Sequence, residues 1–207
     1  GLISPVDGAL SRYNQLRKKH PNFPRMYFVQ ADGGVLLNHD DQSKALSGMS
    51  QINKKLMEQF FSKDPNKRMK FQRVNYQFVV HYFFKSEISW NNFTQNLNDY
   101  LEPGGYLLLT TFDADRIVDA LGDKDSYTVH YTDEKGEKHI YFDIKKEYSG
   151  IKKGDTIGLG NAIGFYSTLM FQEGNYVTEY LVQKQFLEKE LLEKCNLELV
   201  ETDLFEN

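Results

Sequence analysis

Six consecutive residues, Gln77-Phe78-Val79-Val80-His81-Tyr82, hold the densest binding chemistry in the chain. The amide and the imidazole can read hydrogen-bonding edges, and the two aromatic rings can cover a flat ligand. They close an apolar run, and the end of a strand is where an open α/β sheet places its ligands. The plainer alternative is a His–Tyr pair satisfied inside the core. Two carboxylates stand at other informative places. Asp32 follows an apolar run and precedes Gly33-Gly34, as a turn residue or as a ligand acceptor. Glu179 lies in the strand-like run Tyr176–Val182, where a carboxylate is ordinarily a solvated rim charge.

Other chemistries find little support. The chain shows no catalytic triad and no paired acids. Cys195 is the only cysteine, late in a helical stretch, so no internal disulfide is expected and a catalytic thiol finds no partner. The five histidines lack zinc-ligand spacing, and no metal is expected. Gly158-Leu159-Gly160 lacks the following acid of a dinucleotide loop and reads as a turn. Lys63, Lys67, Arg68, Lys70 and Arg73 make the most basic stretch, read as a solvated loop.

Composition sets outer limits. The chain has 207 residues, enough for one domain with a sizeable core. A net charge of −4 supplies no global field for gripping long nucleic acid, although one terminal nucleotide could still be read. No apolar run reaches membrane-spanning length, and no membrane partner is expected. The single cysteine fits a reducing compartment, so a cytoplasmic location is expected.

The elements that must position these residues read in alternation. A strand end at Leu2-Ile3 is followed by a helix capped by Asp7 and stopped by Pro21 and Pro24. A strand at 26–30, a helix over 46–61, a strand at 74–80 and a helix over 88–101 come next. A strand at 106–111 and a short helix closed by Gly122 complete the series. That order predicts a doubly wound, parallel α/β sheet. The pattern then changes to a hairpin of 127–131 and 139–142, strands near 163–169 and 176–182, a helix over 186–194 and a last strand at 197–201. Residues 123–182 are therefore expected to form a late antiparallel insertion.

Four blocks support a family resemblance. Gln77-Phe78-Val79-Val80-His81-Tyr82 resembles the Gln-Phe-x-x-His-Tyr signature of mRNA cap guanine-N7 methyltransferases. Asp7-Gly8-Ala9-Leu10-Ser11-Arg12-Tyr13-Asn14, Leu101-Glu102-Pro103-Gly104-Gly105-Tyr106 with Thr110-Thr111, and Asn175 to Val182 agree in order and spacing. The resemblance is strongest to methyltransferase domains in capping enzymes of large cytoplasmic DNA viruses, poxvirus- and asfarvirus-like. It covers almost the whole chain and implies a Rossmann-like class I methyltransferase sheet. In that sheet a first strand and a Gly-rich loop precede the point where this sequence begins, so 1–207 is expected to be a methyltransferase domain cut from a longer chain.

The resemblance also implies ligands and roles. S-adenosylmethionine is the expected methyl donor, contacted by Ser4, Asp32, Gln77 and Phe78. The capped 5′ end of mRNA is the expected partner, with its guanine lined by His81, Tyr82 and Glu179. Guanine offers N1–H and N2–H₂ as adjacent donors, and one carboxylate accepts both, so Glu179 would set base identity. Ser4 stands where the family carries an acid for the donor ribose. The N7 lone pair is already free, so no general base is required and alignment carries the catalysis. Other capping domains or a stimulatory subunit are further expected partners. The competing expectation is a non-catalytic, methyltransferase-like stimulatory module; the Lys-Asp-Lys-Glu tetrad of a cap 2′-O-methyltransferase cannot be placed. One geometric expectation follows: residues 77–82 and Glu179 converge on one cleft.

Overall fold

A computed structural model describes residues 4–6, 8–172 and 174–205. The expected strand end at Leu2-Ile3 and the capping role of Asp7 lie outside the described residues. The chain divides into two compact units, Gly1–Met69 and Lys70–Asn207.

The first unit is helical. α1 (Ala9–Lys19) starts from Gly8 and buries Tyr13. α2 (His39–Ala45) is capped by Asn38, and α3 (Gln51–Phe60) by Ser50. The sequence reading merged the approach to α3 into a helix from residue 46; Gly48, at φ 74°, and the Ser50 cap set the true start. Residues 26–30 are not a strand, which corrects the expectation. Among the described residues no strand pairs with them, and two buried amides take the place of a ladder. Asn53 Oδ1 accepts from Gln30 N–H at 2.7 Å while Asn53 Nδ2 donates to Gln30 O at 2.8 Å. Gln42 Oε1 accepts from Asp32 N–H at 2.8 Å, and Gln42 Nε2 donates to Asp32 O at 2.9 Å.

The second unit is mixed α/β. β1 (Phe71–Gln77) and β2 (Leu101–Thr110) pair in parallel, joined by α4 (Val80–Phe83) and α5 (Glu87–Tyr100). α5 starts in a reciprocal Ser86–Ser89 capping box and buries Trp90, Phe93 and Leu97. These pack with Val80, Phe83, Phe84, Val182 and Leu187 into one aromatic-rich core. Trp90 Nε1 donates to Glu190 Oε2 at 2.7 Å, tying α5 to α7 (Lys184–Cys195).

Pro103-Gly104-Gly105, expected as a turn before a strand, instead lies within β2 as a register shift. Phe71 faces Leu101, and the next paired residue, Arg73, already faces Tyr106. A Cβ on Gly105 would stand 2.8 Å from the Leu101 side chain and 2.9 Å from Gln72 O, so only glycine fits.

α6 (Ala114–Leu121) is capped by Asp113 and closed by Gly122 at φ 52°. β3 (Ser126–Thr132), β4 (Lys138–Lys146), β5 (Ala162–Ser167) and β6 (Val177–Tyr180) form an antiparallel sheet in sequence order. Ile144 of β4, Ile163 of β5 and Leu181, which follows β6, pack with Ile117, Val118 and Leu121 of α6. The second unit thus joins a two-stranded parallel sheet to a late four-stranded antiparallel sheet. The strand expected at 197–201 is absent: this segment follows the left-handed Asn196 that ends α7, and Leu199 and Val200 are exposed with no ladder to join.

Candidate active site

β1 was expected to run to Val80, because Phe-Val-Val is an apolar, strand-favouring run. It ends at Gln77. Phe78 takes φ +51°, Val79 turns the chain, and α4 begins at Val80. A strand, one left-handed residue and a helix make a sharp elbow that lifts the Phe78 ring out, 47% exposed. The ring packs 5.9 Å from Phe112 and 6.1 Å from Phe205. Gln77 faces Thr110 across the β1–β2 ladder, and its Oε1 accepts the Thr110 hydroxyl at 3.0 Å. Gln77 Nε2 donates to Asn75 Oδ1.

The turn into α4 carries His81 and Tyr82 toward β6. The ladder end reinforces this placement: Asp113 bridges Val182, and Ala114 N–H donates to Val182 O at 3.2 Å. His81 Nε2 stands 3.7 Å from Glu179 Oε1, so the structure brings these two residues together. The distance exceeds a hydrogen bond. His81 is 2% and Glu179 4% exposed, and both His81 nitrogens and Glu179 Oε2 are buried without hydrogen-bond partners. Burial pushes the His81 imidazole down to about 4 and the Glu179 carboxyl up to about 7. The contact is therefore not an ion pair, because desolvation drives both groups toward their neutral forms. Tyr82 keeps a half-exposed ring 4.1 Å from the imidazole, and burial and the nearby Glu179 raise its phenol.

The remaining predicted residues belong to the first unit. Asp32 sits in a turn, its Oδ1 accepting from Gly34 N–H at 2.9 Å. Ser4 O accepts from Gly8 N–H, and Ser4 borders an open cavity of about 430 Å³ with Leu10 and Asn14.

In the sequence Thr110 stands out only as part of a signature; its register opposite Gln77 is what brings it to the elbow. The five histidines had shown no metal-ligand spacing, yet the fold gathers Asp133, Glu137 and His139 at the β3–β4 hairpin tip, with ligand atoms within 4.8 Å. Turn hydrogen bonds explain that gathering, since Asp133 Oδ1 accepts from the N–H groups of Lys135 and Glu137.

Comparison with known proteins decides the family. A model of the mRNA (guanine-N(7))-methyltransferase domain matches residues 37–207. The chain belongs to this family. The "Probable mRNA-capping enzyme" of Acanthamoeba polyphaga mimivirus is 44% identical over 207 residues, which is 100% of this chain and 17% of that protein. The chain thus spans about a sixth of the length of this relative, 17%. Within the guanine-N7 methyltransferase family region fall the Phe78 elbow, the His81–Glu179 pair and all of the second unit.

Proposed function

We propose that this chain is the methyltransferase domain, residues 1–207 with a cap-side insertion at 123–182, of a viral mRNA-capping enzyme acting in the host cytoplasm or virion. It methylates N7 of the guanine cap of mRNA. The observation that carries this reading is the buried, unmet polar set of His81 and Glu179 beside the half-exposed Tyr82 ring. Buried polar atoms without partners are costly, and a ligand that supplies those partners removes the cost. Guanine N1–H and N2–H₂ fit a carboxylate, and His81 adds a donor and an acceptor. Tyr82 offers its ring to the purine face.

Electrostatics favour the product. Two N–H donors on Glu179 stabilise its charged form, countering the desolvation that holds it near 7. The guanine becomes cationic on methylation, and an adjacent carboxylate stabilises that charge. His81 stays neutral at physiological pH and so adds no opposing positive charge. No residue need remove a proton.

S-adenosylmethionine, when bound, supplies an electrophilic methyl on a sulfonium. The elbow fits such a group: an exposed aromatic ring for a flat base, beside a Gln77 amide fixed by Thr110 and Asn75. Gln77 and Phe78 would hold the donor. Capped mRNA, other capping domains and a stimulatory subunit are the proposed partners. No helix among the described residues is long and apolar enough to cross a membrane.

The test is Glu179→Ala in the full-length polypeptide, assayed for cap methylation and for S-adenosylmethionine binding. Methylation should vanish while donor binding persists. Methylation near wild type would overturn the role of Glu179. A parent protein that binds no donor at all would instead favour a stimulatory module.

A further inference from the structure

Phe78 poses a physical question. Among the described residues, the only other non-glycine with positive φ is Asn196, at a helix end where asparagine is tolerated. A bulky aromatic there costs on the order of 1 kcal/mol or more. The ring is only half-buried, against Phe112 and Phe205, so its packing offsets part of that cost at most.

One residue, Thr110, holds the elbow through its carbonyl and its hydroxyl. Phe78 N–H donates to Thr110 O and to Thr110 Oγ1, both at 3.0 Å. The single hydroxyl proton of Thr110 is spent on Gln77 Oε1, at 3.0 Å. Gln77 Nε2 then donates to Asn75 Oδ1. The chain of bonds has one consistent direction, from Phe78 N–H through Thr110 and Gln77 to Asn75. It therefore fixes which way the Gln77 amide faces, with one N–H of the amide left for a ligand. The Thr110 carbonyl bond survives any side-chain change; the hydroxyl bonds do not.

We propose that Thr110 is a positioning residue for the methyl donor: its hydroxyl locks Phe78 in the left-handed conformation and orients the Gln77 amide, without itself touching the ligand. This rests on the reading of Gln77 and Phe78 as donor contacts. The cap end of the site does not depend on Thr110, because His81 is placed by the packing of Val80 and Phe83 in the core and Glu179 by β6.

The experiment compares Thr110→Val, Thr110→Ser and Phe78→Ala in the full-length polypeptide. Affinities for S-adenosylhomocysteine and for a cap analogue are measured by calorimetry, and the KM for S-adenosylmethionine and kcat by steady-state kinetics. Thr110→Val should weaken donor-product binding about tenfold, the scale of a lost side-chain hydrogen-bond pair. Donor KM should rise in step, with kcat and cap affinity near wild type. Thr110→Ser, which keeps the hydroxyl, should restore donor affinity to within about threefold. Should Thr110→Val fail to fold, Asn75→Ala at the open end of the chain should still weaken donor-product binding a few fold. Donor affinity unchanged in Thr110→Val, or lost equally with cap affinity, would overturn the assignment. If Phe78→Ala also leaves donor affinity unchanged, the reading of the elbow as the donor site falls with it. If Phe78→Ala weakens binding and Thr110→Val does not, only the positioning role falls.

Discussion

The two ends of the candidate site carry their energetic cost in different forms. At the elbow the cost is conformational: Phe78 is strained, yet its N–H and the Gln77 amide are bonded and the ring is half-exposed. At the His81–Glu179 pair the cost is desolvation: neither residue is left-handed, but three buried polar atoms lack partners. Strain is paid whether or not a ligand is present, so the elbow is pre-organised. An unmet polar group is relieved only by a ligand that completes it, so the proposed guanine pocket should gain most on binding and discriminate most sharply among bases.

That contrast can be broken most forcefully at Glu179. Glu179→Gln replaces one acceptor by a donor that would face the N–H groups of the guanine proposed to bind there. It should lower kcat/KM for capped RNA about a hundredfold, on the order of 3 kcal/mol for a mispaired buried group, with donor KM unchanged. Phe78→Ala should do the converse, raising donor KM about tenfold through lost stacking and leaving cap affinity alone. A variant that moves both constants together would erase the distinction between the two ends.

Stability sharpens it further. His81→Phe with Glu179→Leu should abolish activity yet raise unfolding free energy by about 1–3 kcal/mol in denaturant titrations, because the unmet polar atoms of this pair are gone. Destabilisation instead would show that the pair serves the core.

The pH dependence offers a subtler test. Glu179, raised to about 7, contributes stability that is present below its unfolded value near 4.5 and lost as pH rises through 7. His81, lowered to about 4, contributes stability that is present above its unfolded value near 6.5 and lost as pH falls through 4. Between about 4.5 and 6.5 the two slopes oppose. Relative to wild type, Glu179→Gln should therefore gain stability with rising pH across that window, and His81→Phe should lose it. Parallel profiles would show that neither group is shifted. The smallest effect belongs to the elbow: Phe78→Gly should be more stable than Phe78→Ala by about 1 kcal/mol, because glycine alone accepts positive φ freely.

Much of this was legible in the residues. The helix of Ile88, Trp90, Phe93 and Leu97 and the hairpin around Asp133–Gly136 follow from local periodicity and turn chemistry, and both stand where expected. The elbow was not legible. Phe78-Val79-Val80 reads as strand, and the hydroxyl that bends it belongs to a residue 32 positions later. The burial of Glu179 was equally hidden. A charge in a short strand usually faces water, whereas here it shares a sheet face with Ile163, its ladder partner. The missing strand at 26–30 fails for a related reason: strand propensity is expressed only where a neighbouring backbone offers a ladder.

Gln42 and Asn53 turn that last case into a safeguard. Each amide occupies both the donor and the acceptor of one residue along the same edge of residues 30–32. An edge whose bonding groups are already consumed by its own chain is a poor template for a stray polypeptide. Exchanging either amide for its acid would delete the donating half, leave a backbone carbonyl without that partner, and reopen that border to self-association.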